Sequence, residues 1–260
     1  MKKILTALTC AAILATTASA DFARVEMGAG AWMQTPSGEL SYTDSSGITA
    51  TDKSEESQET EGYVWLLIKH PIPILPNLRV EYASVNNSGK ATGTFKKFTI
   101  PTGSTSDTTL KMNQYDIIPY YNILDNTAWI TLDLGLDLKV TEASYDVDDA
   151  VNDITGIVIP NTAYSDSSTV VVPLLYVRGR VEIPATNIGL EADVKYVSYN
   201  SNTLYDVRAK VDYTLGFIPV IQPAIEIGYR VQKFDLSTDD DETTMNMDFA
   251  GVYAGLMLRF

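Results

Sequence analysis

A strict alternation of apolar and polar residues is the feature that most limits what this chain can fold into. In AWITLDLGLDLKV, the even-numbered residues from Ile130 to Val140 are all apolar, and the odd-numbered residues between them are polar or glycine. Successive side chains of a β-strand point to opposite faces, so this segment has one apolar face and one charged face. A helix would scatter the same leucines around its circumference. The pattern therefore predicts a β-strand.

The alternation recurs along the chain. It is clear in four further segments, which read DFARVEMGAGAWM, LEADVKYVSY, YDVRAKVDYTL and AIEIGYRV. Similar strands are expected over 61–70, 78–86, 110–121, 169–181 and 245–260. The fold class that this predicts is all-β, an antiparallel up-and-down barrel of about ten strands, with about eight or about twelve strands as alternatives.

The connections between these strands alternate in character. Long polar segments are expected at 35–60, 87–109, 141–168 and 235–244, and short apolar turns at HPIPILPN, YNILDNTA, EIPATN and GFIPVIQP. A transmembrane β-barrel has this asymmetry, with short turns in the periplasm and longer loops outside, and it turns its apolar face to lipid. A soluble sandwich, which would bury that face, is the alternative. We predict a transmembrane barrel with acidic extracellular loops.

The first twenty residues have the layout of a secretory signal peptide. In MKKILTALTCAAILATTASA, two lysines precede an apolar stretch, and a small-residue triplet follows it. The apolar stretch is too short for a membrane-spanning helix, so we predict cleavage before Asp21. Cys10 is the only cysteine and lies inside this segment, so no disulfide or cysteine metal site is expected in the mature protein. The predicted organisation is a signal peptide at 1–20 and one barrel domain at 21–260.

The last stretch, YAGLMLRF, alternates in the same way and closes with an aromatic residue. Val252, Leu256, Leu258 and Phe260 fall on one face of the predicted last strand. This pattern resembles the C-terminal signature of bacterial outer-membrane β-barrels, which the barrel-assembly machinery reads. Together with the signal peptide, the resemblance implies export to the outer membrane of a Gram-negative bacterium. It also implies outer-membrane lipid, lipopolysaccharide and the assembly machinery as partners.

A second resemblance covers residues 21–136. The blocks DFARVEMGAGAW, HPIPILPNLRVEY and YYNILDNTAWITLDLGL resemble a family of outer-membrane barrels of uncharacterised function. The later strands match only in general barrel style. The resemblance implies a location and a fold, and it brings no active site with it.

The charged faces of the predicted strands would line the barrel lumen. Acidic and basic residues on these faces are nearly balanced, and two interpretations remain open. One is a network of paired charges that fills the lumen and gives a structural or surface-interaction role, since buried charges must be paired. The other is a narrow porin-like channel for small polar solutes or ions. The predicted lining residues are Arg24, Glu26, Arg79, Glu81, Asp133, Asp137, Arg178, Arg180, Glu191, Asp193, Arg208, Lys210, Glu226 and Arg230, with Lys195, Asp206 and Asp212 on the same faces.

Acidic residues outnumber basic ones by 33 to 19, which argues against a nucleic-acid partner. Two acidic runs in the predicted loops are candidates for binding calcium through carboxylate oxygens. Neither has the spacing, glycine and distal glutamate of an EF-hand, so a solvated acidic loop is the alternative. No cofactor is predicted. The candidate calcium ligands are Asp146, Asp148, Asp149, Asp239, Asp240, Asp241 and Glu242.

Enzymatic function finds little support in the sequence. A barrel protease needs a histidine beside carboxylates at the extracellular rim, and a barrel phospholipase needs a serine–histidine pair. His70 is the only histidine, and it lies in the turn HPIPILPN, which we expect in the periplasm. A glycosidase needs only two carboxylates, but no pair is singled out. We therefore predict no catalytic residues and no enzymatic activity.

Overall fold

The computed structural model of the protein describes residues 23–72, 74–154, 157–216, 221–237 and 242–260, with side chains described outside 149–162. The predicted signal peptide lies outside these residues and stays a prediction. Among the described residues, no helix is long and apolar enough to span a membrane. The strands are β1 (Arg24–Thr43), β2 (Thr49–Ser54), β3 (Glu59–Lys69), β4 (Asn77–Thr92), β5 (Phe98–Thr99), β6 (Ser106–Thr127), β7 (Ile130–Ile154), β8 (Ile157–Glu182), β9 (Ile188–Tyr199), β10 (Asn202–Thr214), β11 (Gln222–Ser237) and β12 (Thr243–Arg259).

Ten of the strands close into a barrel. Neighbours pair antiparallel in the order β1-β3-β4-β6-β7-β8-β9-β10-β11-β12, and β12 pairs again with β1. The closing seam runs from Glu26 opposite Arg259 to Tyr42 opposite Thr243. The predicted antiparallel barrel of ten strands is therefore confirmed. The short strand β2 pairs with the last residues of β1 and of β4, beyond the residues that pair with β3. The strand β5 is not part of the ring and pairs with β7.

The alternation sorts side chains between the two faces of the ring. In β7, Leu134, Leu136 and Leu138 are exposed on the outer face, whereas Asp137 and Lys139 are buried inside. A water-soluble protein does the reverse, because apolar surface left in water forgoes about 25 cal/mol per Å² of stabilisation. An apolar exterior around a polar interior is the arrangement of a membrane barrel.

The two ends of the barrel differ. Short connections join β3 to β4, β6 to β7, β8 to β9 and β10 to β11 at one end, which we call the short-turn end. The start of β1 and the end of β12 lie at the same end, paired with each other. At the opposite end, which we call the tall end, the hairpin of β7 and β8 extends to Ile154 and Ile157.

Two connections predicted as long loops are largely strands and a third is strand at both ends, so that part of the prediction is wrong. The segment 35–60 contains the end of β1, all of β2 and the start of β3, and 87–109 contains the end of β4 and the start of β6. The segment 141–168 lies almost entirely in β7 and β8. Both faces of a strand can be polar beyond the apolar band, so the alternation disappears although the backbone ladder continues.

Candidate functional site

The lumen between the ten strands holds nearly all the residues predicted to line it. Arg24 is half-buried at the short-turn end, and its guanidinium lies beside Glu26. The other predicted residues are buried on the inner face of the ring. They are Glu26, Arg79, Glu81, Asp133, Asp137, Arg178, Arg180, Glu191, Asp193, Lys195, Asp206, Arg208, Lys210, Asp212, Glu226 and Arg230.

One cluster of alternating charges crosses the lumen at Lys195. Its Nζ lies 2.6 Å from Glu81 Oε2 and also contacts a carboxylate oxygen of Asp116. Arg208 Nη2 donates to the other Glu81 oxygen at 2.6 Å, and Lys139 Nζ donates to Asp116 Oδ1 at 2.6 Å. These residues come from β9, β4, β6, β10 and β7, so the ion pairs connect strands that are far apart in the ring. Each buried charge is compensated by an opposite one, as burial requires.

A second cluster surrounds Glu191. Arg178 Nη2 lies 2.7 Å from Glu191 Oε2, and Arg180 Nη1 lies 3.3 Å from the same oxygen. Arg79 Nη1 and Lys210 Nζ each lie 3.4 Å from Glu191 Oε1. One carboxylate thus receives four cations from β4, β8 and β10. Such a node is favourable only because each cation also has a second acidic partner nearby.

A third cluster closes the lumen at the short-turn end. Arg24 Nη2 and Arg259 Nε lie 2.5 and 3.2 Å from Glu26 Oε1. Asp212 accepts from Arg180 Nη1 at 2.6 Å and from Arg259 Nη2 at 2.7 Å. Because Arg259 ends β12 and lies opposite Glu26 near the start of β1, this cluster also holds together the seam that closes the barrel.

The predicted lining residues omit three buried charged members of the network, namely Asp116, Lys139 and Arg259. Asp116 lies in β6, where the inner face also carries Ile118 and Tyr120, both buried. Apolar residues therefore stand on both faces of this strand, and the alternation that identifies a lumen-facing residue is lost. Lys139 follows Asp137 on the inner face of β7, so the alternation in that strand could have identified it.

Asp137 stands apart from every other carboxylate of the lumen. Its side chain is 1% exposed, yet neither of its oxygens has a hydrogen-bond partner. The apolar Leu174 lies opposite it on β8. The remaining buried acids of the network each have an ion pair: Glu26, Glu81, Asp116, Asp133, Glu191, Asp193, Asp206, Asp212 and Glu226.

Aromatic side chains fill the space between the ion pairs. Lys210 Nζ lies 4.5 Å from the ring centroid of Trp65, and the guanidinium of Arg230 lies 4.7 Å from that of Trp32. Tyr63 donates its hydroxyl to Glu226 at 2.8 Å. The cavity between these groups has about 10 Å³ for the centre of a water molecule, which is room for one water at most. A second cavity at the short-turn end has about 30 Å³.

A strap formed by residues 93–105, between β4 and β6, folds over the lumen at the tall end. Its Phe95 and Phe98 are buried and stacked, with ring centroids 4.7 Å apart, and Tyr164 of β8 lies 4.7 Å from Phe98. Lys97 Nζ lies 2.6 Å from Asp166 Oδ2 of β8. The strap therefore covers the inner space with an apolar cluster and is tied to β8 of the next hairpin.

A buried carboxylate lies beside this apolar cluster. Asp52 of β2 accepts hydrogen bonds from the hydroxyls of Thr108, at 2.8 and 2.9 Å, and Tyr145, at 2.9 Å. Burial raises the pKa of Asp52, and the two hydroxyls oppose that rise by stabilising the ionised form. Tyr145 also packs near Phe98, with ring centroids 6.3 Å apart, so the carboxylate and the strap share a neighbour.

The predicted calcium ligands are only partly described. Asp146 and Asp148 are exposed in β7, and Glu242 Oε2 lies 3.1 Å from Lys96 of the strap. The side chain of Asp149 and the residues Asp239, Asp240 and Asp241 lie outside the described part of the chain. Within that part, no three His, Cys, Asp or Glu side chains come together as a metal-binding group.

His70 and the predicted assembly signal lie at the short-turn end. His70 Nε2 lies 2.9 Å from the carbonyl oxygen of Pro76, and its Nδ1 accepts from the amide of Ile72 at 3.1 Å, so both ring nitrogens stabilise a turn. In β12, Val252 and Leu256 are exposed and Leu258 is half-buried on the outer face. Phe260 follows them, and its amide donates to the carbonyl of Val25 at 2.9 Å. The role of these residues in assembly stays a prediction.

Comparison with known proteins gives a fold. The chain matches no protein-family model and no curated protein sequence. Among solved structures it is similar to the outer-membrane protease OmpT from Escherichia coli, with a TM-score of 0.56 and 12% identity over 95% of this chain and all of OmpT. A FadL homologue from Pseudomonas aeruginosa (TM-score 0.29, 9% identity, 95% and 93% covered) and the Pseudomonas putida toluene transporter TodX (0.27, 12%, 95% and 91%) also match. The chain has the fold of a bacterial outer-membrane β-barrel.

Proposed function

We propose that this protein is an integral β-barrel of the bacterial outer membrane with a lumen closed by its own side chains and a structural or surface-interaction role. The observation that carries the proposal is the ion-pair network. It connects opposite strands through Lys195 and Glu191, and the cavity between Trp32, Trp65 and the charged groups beside them has room for one water at most. Side chains can fill the interior of a barrel this narrow and stabilise the ring, and such a barrel does not have to transport a solute.

The exterior of the barrel supports the membrane location. Large apolar side chains such as Leu136, Val194 and Ile227 are exposed on the outer faces of β7, β9 and β11. The short-turn end then lies in the periplasm, and the tall end, with exposed carboxylates at Asp146 and Asp148, faces outward. Lipid and lipopolysaccharide would surround the barrel, and the assembly machinery would insert it.

The alternative function is a narrow channel for ions or small polar solutes. The charged lining favours it, since a polar lumen is common to porins. Against it stand the buried aromatic side chains between the charged clusters and the strap over the tall end. We also propose that the protein is not an enzyme, because the ring of His70 is engaged in a turn at the short-turn end.

Single-cysteine labelling tests the membrane location and orientation. Cys10 lies in the predicted signal peptide, so each engineered thiol is expected to be the only one in the mature chain. A membrane-impermeant maleimide should label Ile48→Cys, in the exposed turn before β2 at the tall end, on intact cells. It should label the matched variant Asn187→Cys, exposed at the short-turn end, only after the cells are permeabilised. Equal labelling of both variants on intact cells would refute the proposed orientation.

A further inference from the structure

The short-turn end carries a large apolar surface at two neighbouring connections. The turn between β3 and β4 exposes Ile74 at 84%, with Ile72 and Leu75 also exposed. The neighbouring hairpin of β6 and β7 exposes Trp129 at 56%, together with Tyr121 and Ile123. By contrast, the described turn between β8 and β9 has only the half-buried Ile183 and small residues. We call the six exposed residues Ile72, Ile74, Leu75, Tyr121, Ile123 and Trp129 the apolar tongue.

Hydrogen bonds hold the apolar tongue in place. The Tyr121 hydroxyl donates to the carbonyl of Ile74 at 3.0 Å, which fastens the β3–β4 turn to the side of β6. Asn77, the first residue of β4 after this turn, donates from Nδ2 to Asn122 Oδ1 of β6 at 2.8 Å. The carbonyl of Trp129 accepts from the amide of Glu182 at 2.9 Å, which ties the hairpin tip to β8. The apolar side chains are thus presented on a fixed frame.

The charges of this region lie on the opposite, lumenal side. Lys69 Nζ lies 2.7 and 2.6 Å from the two carboxylate oxygens of Asp125, joining the ends of β3 and β6. Both residues line the cavity at the short-turn end together with Arg24 and Arg178. The turn and the hairpin extend past the start of β4 at the short-turn end. Even there, they keep a charged inner side and an apolar outer side.

The position of the apolar tongue favours lipid as its partner. Exposed apolar patches of this kind mark membrane or protein contacts. Tyr121 and Ile123 continue the outer face of β6 directly from Tyr115 and Ile117, which are exposed in the lipid-facing band. Tryptophan and tyrosine, with a polar group on an apolar ring, are typical of the boundary between lipid and water. Because Tyr121 and Ile123 continue the lipid-facing side of β6, we expect them to contact lipid as well.

We propose that the apolar tongue inserts into the periplasmic leaflet of the outer membrane, against acyl chains and lipid headgroups. This rests on the proposed membrane location. It gives the barrel a deeper apolar band beside β3, β4, β6 and β7 than beside the described turn between β8 and β9. A barrel with unequal apolar height matches the bilayer by tilting or by deforming the lipid beside it.

Tryptophan fluorescence tests the proposal directly. The chain has three tryptophans, and Trp32 and Trp65 are buried in the lumen at 1% and 4% exposure. The difference in emission between wild type and the variant Trp129→Phe therefore comes from Trp129. In vesicles, phospholipid brominated near the glycerol should quench this emission more than iodide does. A second reporter, Ile74→Trp in the Trp129→Phe background, should behave in the same way.

Two controls separate this proposal from the one on which it rests. Leu136→Trp in the same background lies mid-strand on the outer face, so brominated lipid must quench it if the barrel spans the bilayer. Ile48→Trp, at the tall end, must respond to iodide. Failure at Leu136 would refute the membrane location itself. Quenching at Leu136 by brominated lipid, with quenching of either tongue reporter by iodide alone, would show that the tongue faces the periplasm and would overturn the inference.

Discussion

Two aspartates of the lumen should respond in opposite directions to the same substitution. Asp116 accepts from Lys139 at 2.6 Å and contacts Lys195, and Asp137 has no hydrogen-bond partner at either oxygen. Both carboxylates are buried on the inner face, on the adjacent strands β6 and β7. Changing each to asparagine keeps the size of the side chain and removes its charge, so the pair is a matched comparison.

The expected magnitudes follow from the contacts. Removing one partner of a buried ion pair costs about 3–5 kcal/mol. Lys195 keeps its contact with Glu81 at 2.6 Å, so Asp116→Asn should fall at the lower end, about 3 kcal/mol. Asp137→Asn removes a charge that no donor stabilises, and the free energy of unfolding should stay unchanged or rise by up to about 2 kcal/mol.

Urea unfolding of the refolded barrels in the same lipid vesicles would measure the difference. Tryptophan emission and far-ultraviolet circular dichroism should give coincident transitions with unchanged slopes, so that shifts of the midpoint report stability. The reasoning would be refuted if Asp137→Asn destabilised the barrel as much as Asp116→Asn, because the isolation of Asp137 would then have no energetic meaning.

Three further predictions concern the strap, the lumen packing and pH. Phe98→Ala should loosen the strap, at a cost of about 3–5 kcal/mol for a buried phenylalanine, and trypsin should then cut faster at Lys97; an unchanged digestion rate would contradict this. Gly28→Val should lower the yield of folded barrel, because a Cβ at Gly28 would lie 2.5 Å from the indole of Trp65; the fraction migrating as the folded form on an unheated gel measures it. Since burial raises the pKa of Asp52, its contribution to stability should fall as pH rises through that pKa; a pH series of limited proteolysis should show this in wild type and not in Asp52→Asn.

The strands of the ring could be predicted from the sequence better than the contacts between the side chains inside it. Strands such as β7 were identifiable because one apolar face against lipid forces a strict alternation over Ile130–Val140. That condition ends where the strands leave the apolar band, and so the upper parts of β7 and β8 were predicted as loops. The strand β2 is a short polar insertion, and no periodic pattern distinguishes it from a loop.

The interior pairs could not be predicted for a different reason. Alternation assigns Glu81 and Lys195 to the inner face, but their contact across the lumen depends on the number of strands and on the register of every ladder between them. Whether an inner aspartate has a partner likewise depends on its neighbours in space. Asp133 and Asp137 both stand between two leucines, yet only Asp133 has an ion pair, with Arg178 at 2.6 Å. The strap, whose apolar side chains lie inside the tall end, has no strand pattern that would place it there.

The central claim, that side chains close the lumen, is tested most directly by single-channel recording. Protein shown to be folded by its migration on an unheated gel, and shown to be inserted by quenching of Leu136→Trp with brominated lipid, would be added to a planar bilayer. The account predicts no discrete conductance steps above those of the bilayer alone. Reproducible steps of uniform size from the same preparation would contradict it and would favour the narrow channel.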